Sequence, residues 1–256
     1  MDLGLDGKRA LVLSSSRGLG LGVARALAAE GAKVLLTGRD AAALEAAAAE
    51  IGADWVAADL ADPDFARKLA AAAAERLGGV DILVNNTGGP KPGTSAEMSA
   101  DAMIDAARMM VAPVIALTTA LLPAMRAAGW GRVLTLASSG VEQPIPNLAL
   151  SNTLRAALAG WSKTLATEVA ADGVTCNLLL PGRIHTDRVD QLDAAAAVRQ
   201  GKEIDAVRAA SRATIPAGRY GRVEEFAAVA AFLCSAPASY VTGSMLRCDG
   251  GMIRGL

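Results

Sequence analysis

Short apolar runs alternate along the whole chain with longer stretches whose apolar residues recur every three or four positions. The runs are ALVLS, KVLLT, WVAA, DILVNN, RVLTLAS, VTCNLLL and SMLRC, and the helical stretches between them cover 18–30, 40–51, 64–77, 100–128, 151–170 and 222–234. Most runs are apolar throughout rather than at every second position, as strands are when both faces of their sheet are covered. Strand then helix, repeated, predicts an α/β fold of three layers, a parallel sheet between two helical layers. The Ala-rich tracts AAALEAAAAE and AAAAAE carry charges at helical spacing, and Ala has the highest helix propensity, so they read as surface helices. The segment 183–215 shows no such order and reads as an irregular lid or substrate loop, because open parallel sheets bind ligands beyond the carboxyl ends of their strands. With no internal repeat and no Pro/Gly/Ser linker, a single domain is expected over 1–256.

Composition narrows the function classes. Hydrophobic residues make up 52% of the 256 and aromatic residues only 3%, so the core must be filled by Ala, Leu and Val. The 25 basic and 26 acidic residues are spread evenly, leaving no basic stripe for a phosphate backbone, and nucleic acid is not an expected partner. The start MDLGLDGKRALVL does not read as a signal peptide, and no run reads as approaching the roughly 20 apolar residues of a membrane helix. A cytoplasmic protein without membrane partners is expected. Cys176, Cys234 and Cys248 are odd in number and lack metal spacing; with His185 as the single histidine, they read as reduced thiols and no metal is expected.

Between the first strand and the first helix lies LSSSRGLGLG, residues 13–22. Glycines at such a turn let the backbone approach a pyrophosphate held by amides and the positive end of a helix dipole, although a tight strand-to-helix connection needs glycine too. Further on come Asp59-Leu60, NNTG at 85–88, Ser138, PGRIHT at 181–186 and YVTG…DGG near the end. In order and spacing these motifs resemble the short-chain dehydrogenase/reductase family over essentially the whole chain, most closely its 3-oxoacyl carrier-protein reductase branch. The resemblance implies a Rossmann-type, doubly wound, seven-stranded parallel sheet in the order 3-2-1-4-5-6-7, with a nicotinamide dinucleotide across its switch point. It also implies that Ser16, Arg17, Gly18, Leu19 and Gly20 line the phosphates and adenosine ribose. Asp59 and Leu60 would meet the adenine, Asn86 and Gly88 the ribose, and Pro181, Gly182 and Thr186 the nicotinamide amide. Ser14 stands where the family pattern has a glycine, and a positive φ there costs a residue with a Cβ on the order of 1 kcal/mol.

At the end of the second strand, where NAD-preferring relatives carry an acid, this chain has Gly38 followed by Arg39. Arg39 and Arg17 can grip a 2′-phosphate through charge-assisted hydrogen bonds, which favours NADP(H) over NAD(H); otherwise they are two solvated arginines.

Similar enzymes work with an Asn, a Ser, a Tyr and a Lys. Here Ser138 is kept, while Met110, Ser151 and Arg155 occupy the other three places. A phenol, with pKa near 10, can be brought toward working pH by a neighbouring ammonium, whereas an alkyl hydroxyl cannot be tuned so far. Arginine stays protonated and passes no proton along a water chain. The ring volume freed at position 151 can take water or substrate. Arg155, with Arg183 and His185 after the sixth strand, would then line an anion-binding rim, unless Arg155 only satisfies buried carbonyls and His185 is a plain loop residue.

Ser138, Ser151 and Arg155 are thus the expected catalytic residues of an NADP(H)-dependent carbonyl reductase with a modified proton relay, acting on a 3-oxoacyl-like or small anionic substrate. The alternatives are a non-redox enzyme such as an isomerase, dehydratase or lyase, or a nucleotide-binding protein that has lost its chemistry. Trp130, Trp161, Met109 and Met110 read as packing residues. The apolar faces of 100–128 and 151–170 suit a homotetramer or homodimer.

Overall fold

A strand that is apolar on both sides needs cover on both sides, and the seven runs obtain it by lying edge to edge. The computed structural model describes residues 1–255; Leu256, the last residue of the expected domain, lies outside the described residues. Strands β1 (Arg9–Val12), β2 (Lys33–Gly38), β3 (Asp54–Ala57), β4 (Ile82–Asn85), β5 (Gly131–Leu136), β6 (Val174–Pro181) and β7 (Met245–Cys248) form one sheet in the order β3-β2-β1-β4-β5-β6-β7. Every pairing is parallel, with Leu11 of β1 opposite Leu35 of β2 and Leu83 of β4. The expected strand order is the observed one, and the order reverses between β1 and β4.

Alternate residues along each strand feed opposite layers. Ala10, Val12, Val34, Leu36, Ile82 and Val84 pack beneath α1 (Gly18–Ala29), α2 (Ala41–Ile51) and α9 (Val223–Leu233). Leu11, Leu13, Leu35 and Leu83 face the other way, toward α3 (Phe65–Leu77), α5 (Ala112–Ala127) and α6 (Ala149–Val169). With so few aromatics, the layers close by backbone approach. A Cβ added at Gly22 on α1 would lie 2.1 Å from Val223 Cγ1 on α9.

Two expectations give way here. The stretch 100–128 is two helices, α4 (Ala100–Met110) and α5, with Val111 between them at φ −110° and Pro113 in the first turn of α5. Proline brings no N–H for the carbonyl four residues back, so the first helix ends there. Against the sequence reading, Ala100–Ala127 is long and apolar enough to span a bilayer. Its Leu117, Leu121 and Met125 are buried in the core with Leu69 and Val133, which accounts for that apolarity.

The segment 183–215 is not irregular. It contains α7 (Asp187–Gln200) and α8 (Ile204–Ala213), whose Ala196, Ala197 and Val207 make a small core of their own. The helical period was masked because a buried acid, Asp193, stands in the inward row between Val189 and Ala196.

Gly22→Ala should destabilise the protein by about 1–3 kcal/mol, the usual range for overpacking. Adding Val223→Ala should return most of that loss, as read from urea unfolding midpoints. Ser14, at φ 48°, offers the reverse case. Ser14→Gly should raise stability by up to about 1 kcal/mol in the same assay, because the left-handed conformation no longer carries a Cβ.

Candidate active site

The turn leaving β1 is pinned to both neighbouring strands. Leu13 N donates to Val84 O (3.0 Å) and Ser15 N to Thr37 O (2.8 Å). The fully buried Ser15 hydroxyl donates to Val12 O (2.8 Å) and accepts from Thr37 N (2.9 Å). Ser14 takes the left-handed conformation, and Asn86 Nδ2 donates to its carbonyl (3.1 Å). A Cβ on Gly20 would stand 2.5 Å from Ser14 O and 2.8 Å from Asn86 Nδ2, so only glycine permits this approach of helix, turn and NNTG segment.

Gly18 opens α1 at φ 60°, after an extended Arg17. The helix has no side-chain cap and no acid in its first turn, which leaves its amides and dipole available to an anionic group. Leu19 is anchored in the core, while Ser16 Oγ lies 3.5 Å from where a Gly38 Cβ would be. Arg17 and Arg39 are exposed and join no ion pair among the described residues. Asp59 and half-buried Leu60 follow β3, with Asp59 on the wall of a hollow of about 130 Å³. Gly88 is exposed with open space above it. The close backbone approach, the uncapped helix start and the free arginines fit a dinucleotide with its phosphates over α1.

Across β4 lies the second half. Ser138, extended at φ −162°, accepts from Gly140 N (3.0 Å), so its hydroxyl hydrogen remains free to donate. Ser151 is half-buried in the first turn of α6. Arg155 is 9% exposed, with Nη1 donating to Leu136 O (2.8 Å). Burial pushes the Arg155 guanidinium down to about 10, and the charge of Arg188 pushes the same way. Met110 is buried at the end of α4.

Sequence reasoning passed over Asn152. Its Nδ2 donates to Ile145 O (2.9 Å) and its Oδ1 accepts from Ile145 N (3.3 Å), and a Cβ at Gly140 would meet that Oδ1 at 2.5 Å. Asn152 thereby shapes the chain between Ser138 and Ser151. An amide beside Ser151 in a first helical turn was the available signal. Gly93 N donates to Asn147 O (2.8 Å) and Ala149 N to Gly93 O (3.2 Å), which ties the segment after NNTG to the start of α6.

After β6, Pro181 and Gly182 abut the turn beyond β7, Gly182 N donating to Cys248 O (2.9 Å), and half-buried Thr186 leads into α7. One expected rim donor is already engaged, and the other lies near an acid. Arg183 Nη1 meets the fully buried Asp193 (2.6 Å), whose other oxygen accepts from Tyr220 OH (2.8 Å). His185 lies 3.5 Å from Asp190, which also holds Arg208 at 2.7 Å. The cation that does reach over is Arg188, donating to Pro90 O (3.2 Å).

Other candidates stay outside this edge. Trp130 lies between Lys8 and Arg132, and Trp161 packs on the core. Met109 is 45% exposed, so within the single chain it fills no core position. All three cysteines are free, and burial pushes Cys176 and Cys234 up to about 12. A broad hollow of about 500 Å³, between Pro123, Arg126 and Asp172, lies at the amino edge of the sheet, far from the cradle. Among the described residues no three His, Cys, Asp or Glu side chains gather as metal ligands.

Residues 13–253 match the family model described as enoyl-(acyl carrier protein) reductase. The 3-oxoacyl-(acyl-carrier-protein) reductase of Salmonella typhimurium is 35% identical over 254 residues, covering 98% of this chain and 99% of the relative. L-sorbose reductase from Gluconobacter frateurii, complexed with NADPH and L-sorbose, superposes with a TM-score of 0.93 at 33% identity over 100% of both chains. An actinorhodin polyketide ketoreductase with NADPH gives 0.91 at 30% identity, covering 96% of this chain and 97% of that one. On the match of nearly the whole chain, and on a shared fold, this protein belongs to the short-chain dehydrogenase/reductase family.

Proposed function

We propose that this protein is an NADP(H)-dependent carbonyl reductase whose proton relay has been rebuilt around Ser151 and Arg155. The observation that carries the reading is the cradle: Gly20, Ser14 and Asn86 are locked in a close backbone approach at a helix start left uncapped. Gly38 followed by Arg39, with Arg17 on the turn after β1 and neither arginine in an ion pair among the described residues, favours the phosphorylated nucleotide. Both solved relatives described above are with NADPH, which supports the same choice.

Bound NADPH would supply the hydride, so that carbonyl, NADPH and one proton give alcohol and NADP⁺. Ser14, Ser16, Arg17, Gly18, Leu19 and Gly20 would hold its phosphates and adenosine ribose. Arg39 would meet the 2′-phosphate, Asp59 and Leu60 the adenine, and Asn86 and Gly88 the ribose. Pro181, Gly182 and Thr186 would receive the nicotinamide amide.

Ser138 orients the carbonyl oxygen with its free hydroxyl hydrogen, and the Arg155 guanidinium favours anionic character on the bound substrate. Ser151, too weak an acid to deliver the proton alone, relays one from water in the space a phenol ring would fill. The substitutions at 110, 151 and 155 favour one second reading, a non-redox isomerase, dehydratase or lyase that binds the same nucleotide. The exposed apolar residues Met245 and Leu246 on β7 and Tyr240 before it support assembly into a homotetramer or homodimer.

Absorbance at 340 nm with NADPH and a panel of carbonyl compounds tests the reading, with saturable nucleotide uptake followed by fluorescence. Oxidation that depends on the carbonyl is expected. Uptake without oxidation would leave the non-redox enzyme, and no uptake at millimolar nucleotide would remove both. A Cβ at Gly38 has room, its nearest neighbour being Ser16 Oγ at 3.5 Å. Gly38→Asp should therefore fold, weaken NADPH binding by about tenfold or more, and shift preference toward NADH.

A further inference from the structure

We propose that Arg155 and Arg188 form a seat for an anionic group, and that the seat takes the carboxylate of an oxo-acid substrate; the assignment rests on the reductase reading above. Arg155 is the starting point. It is nine-tenths buried, and its one hydrogen bond runs from Nη1 to Leu136 O. A guanidinium carries five donors, and among the described residues no acid pairs with this one. A buried cation without a counter-charge destabilises its surroundings unless a ligand brings the missing charge.

The neighbour it does feel is another cation. Arg188 projects from the first turn of α7 to Pro90 O, and a Cβ on Gly89 would lie 3.3 Å from its Nη2, so it closes over the segment that follows NNTG. Its charge joins burial in disfavouring the protonated Arg155. On the same segment Arg183 pairs with Asp193, Arg208 with Asp190 and Arg219 with Glu225, whereas Arg188 joins no ion pair among the described residues. A buried arginine without an acid, and a second one drawn over the neighbouring segment without one, mark a place for an anion.

The nucleotide's own anionic groups are accounted for on the other side of β4, over α1 and beside Arg39. Arg155 instead stands one helical turn beyond Ser151 on α6, which leads back through the Asn152-held loop to Ser138. A carbonyl oxygen directed at the two serines would leave a carboxylate one or two carbons away to meet the arginines. Guanidinium forks bind carboxylate in a fixed, two-pronged geometry, so the seat would also set which face of the carbonyl is presented.

The test compares 3-oxobutanoate with its methyl ester by calorimetric titration, with saturating NADP⁺ and without nucleotide, in the natural chain and in Arg188→Gln. Arg188 is exposed, so this substitution leaves the fold intact where loss of buried Arg155 endangers it. The acid should bind at least about tenfold more tightly than the ester, and Arg188→Gln should bring the two within about threefold. Equal binding of acid and ester, or a preference that survives Arg188→Gln, would overturn the seat. If nucleotide is taken up and carbonyls are reduced while acid and ester bind alike, the seat falls and the reductase stands. If nucleotide is not taken up but the acid preference and its loss are seen, the seat stands and the reductase falls.

Discussion

The carboxyl edge of this protein depends on how the chain leaves β1. Three strands meet there, and the turn must both finish a fully buried strand and swing its amides out toward solvent. Ser15 reconciles the two demands. Its hydroxyl, fully buried, serves as donor to Val12 O and acceptor from Thr37 N, so the polar groups of the turn are satisfied inside while the next residues are released to open α1. The left-handed Ser14 is the consequence, and Asn86 secures it from the neighbouring strand. Strain at Ser14 is therefore offset locally, by bonds that exist only when β1, β2 and β4 are in register.

The opposite side of the edge follows another logic. A Tyr–Lys pair, as similar enzymes have, places a tunable phenol beside a movable ammonium. Ser151 and Arg155 replace that with a small hydroxyl and a charge that is fixed in place by Leu136 O. In the proposed relay the site would lose a group able to give up a proton near neutral pH and gain a buried cation that favours negative charge beside it. Proton supply would then fall to water.

Architecture was legible because it is written in residue type at many positions. Uniformly apolar strands between amphipathic stretches leave few alternatives to a covered parallel sheet, and the strand order followed from motifs. Features set by one residue against the local trend were hidden. The break at Val111 depends on Pro113, inside a stretch otherwise continuous in apolar character. The helix α7 was concealed by Asp193, a charge in a core position whose partners, Arg183 and Tyr220, lie ten and twenty-seven residues away. Pairing at such distances cannot be seen from spacing, and the same blindness made Arg183 look like a free donor.

That buried acid also explains why the anionic seat falls to Arg188. Asp193 draws Arg183 inward and fastens the segment after β6 to the inner row of α7. Asp190 likewise engages Arg208 and approaches His185. The first turn of α7 then presents Arg188 to the loop after β4.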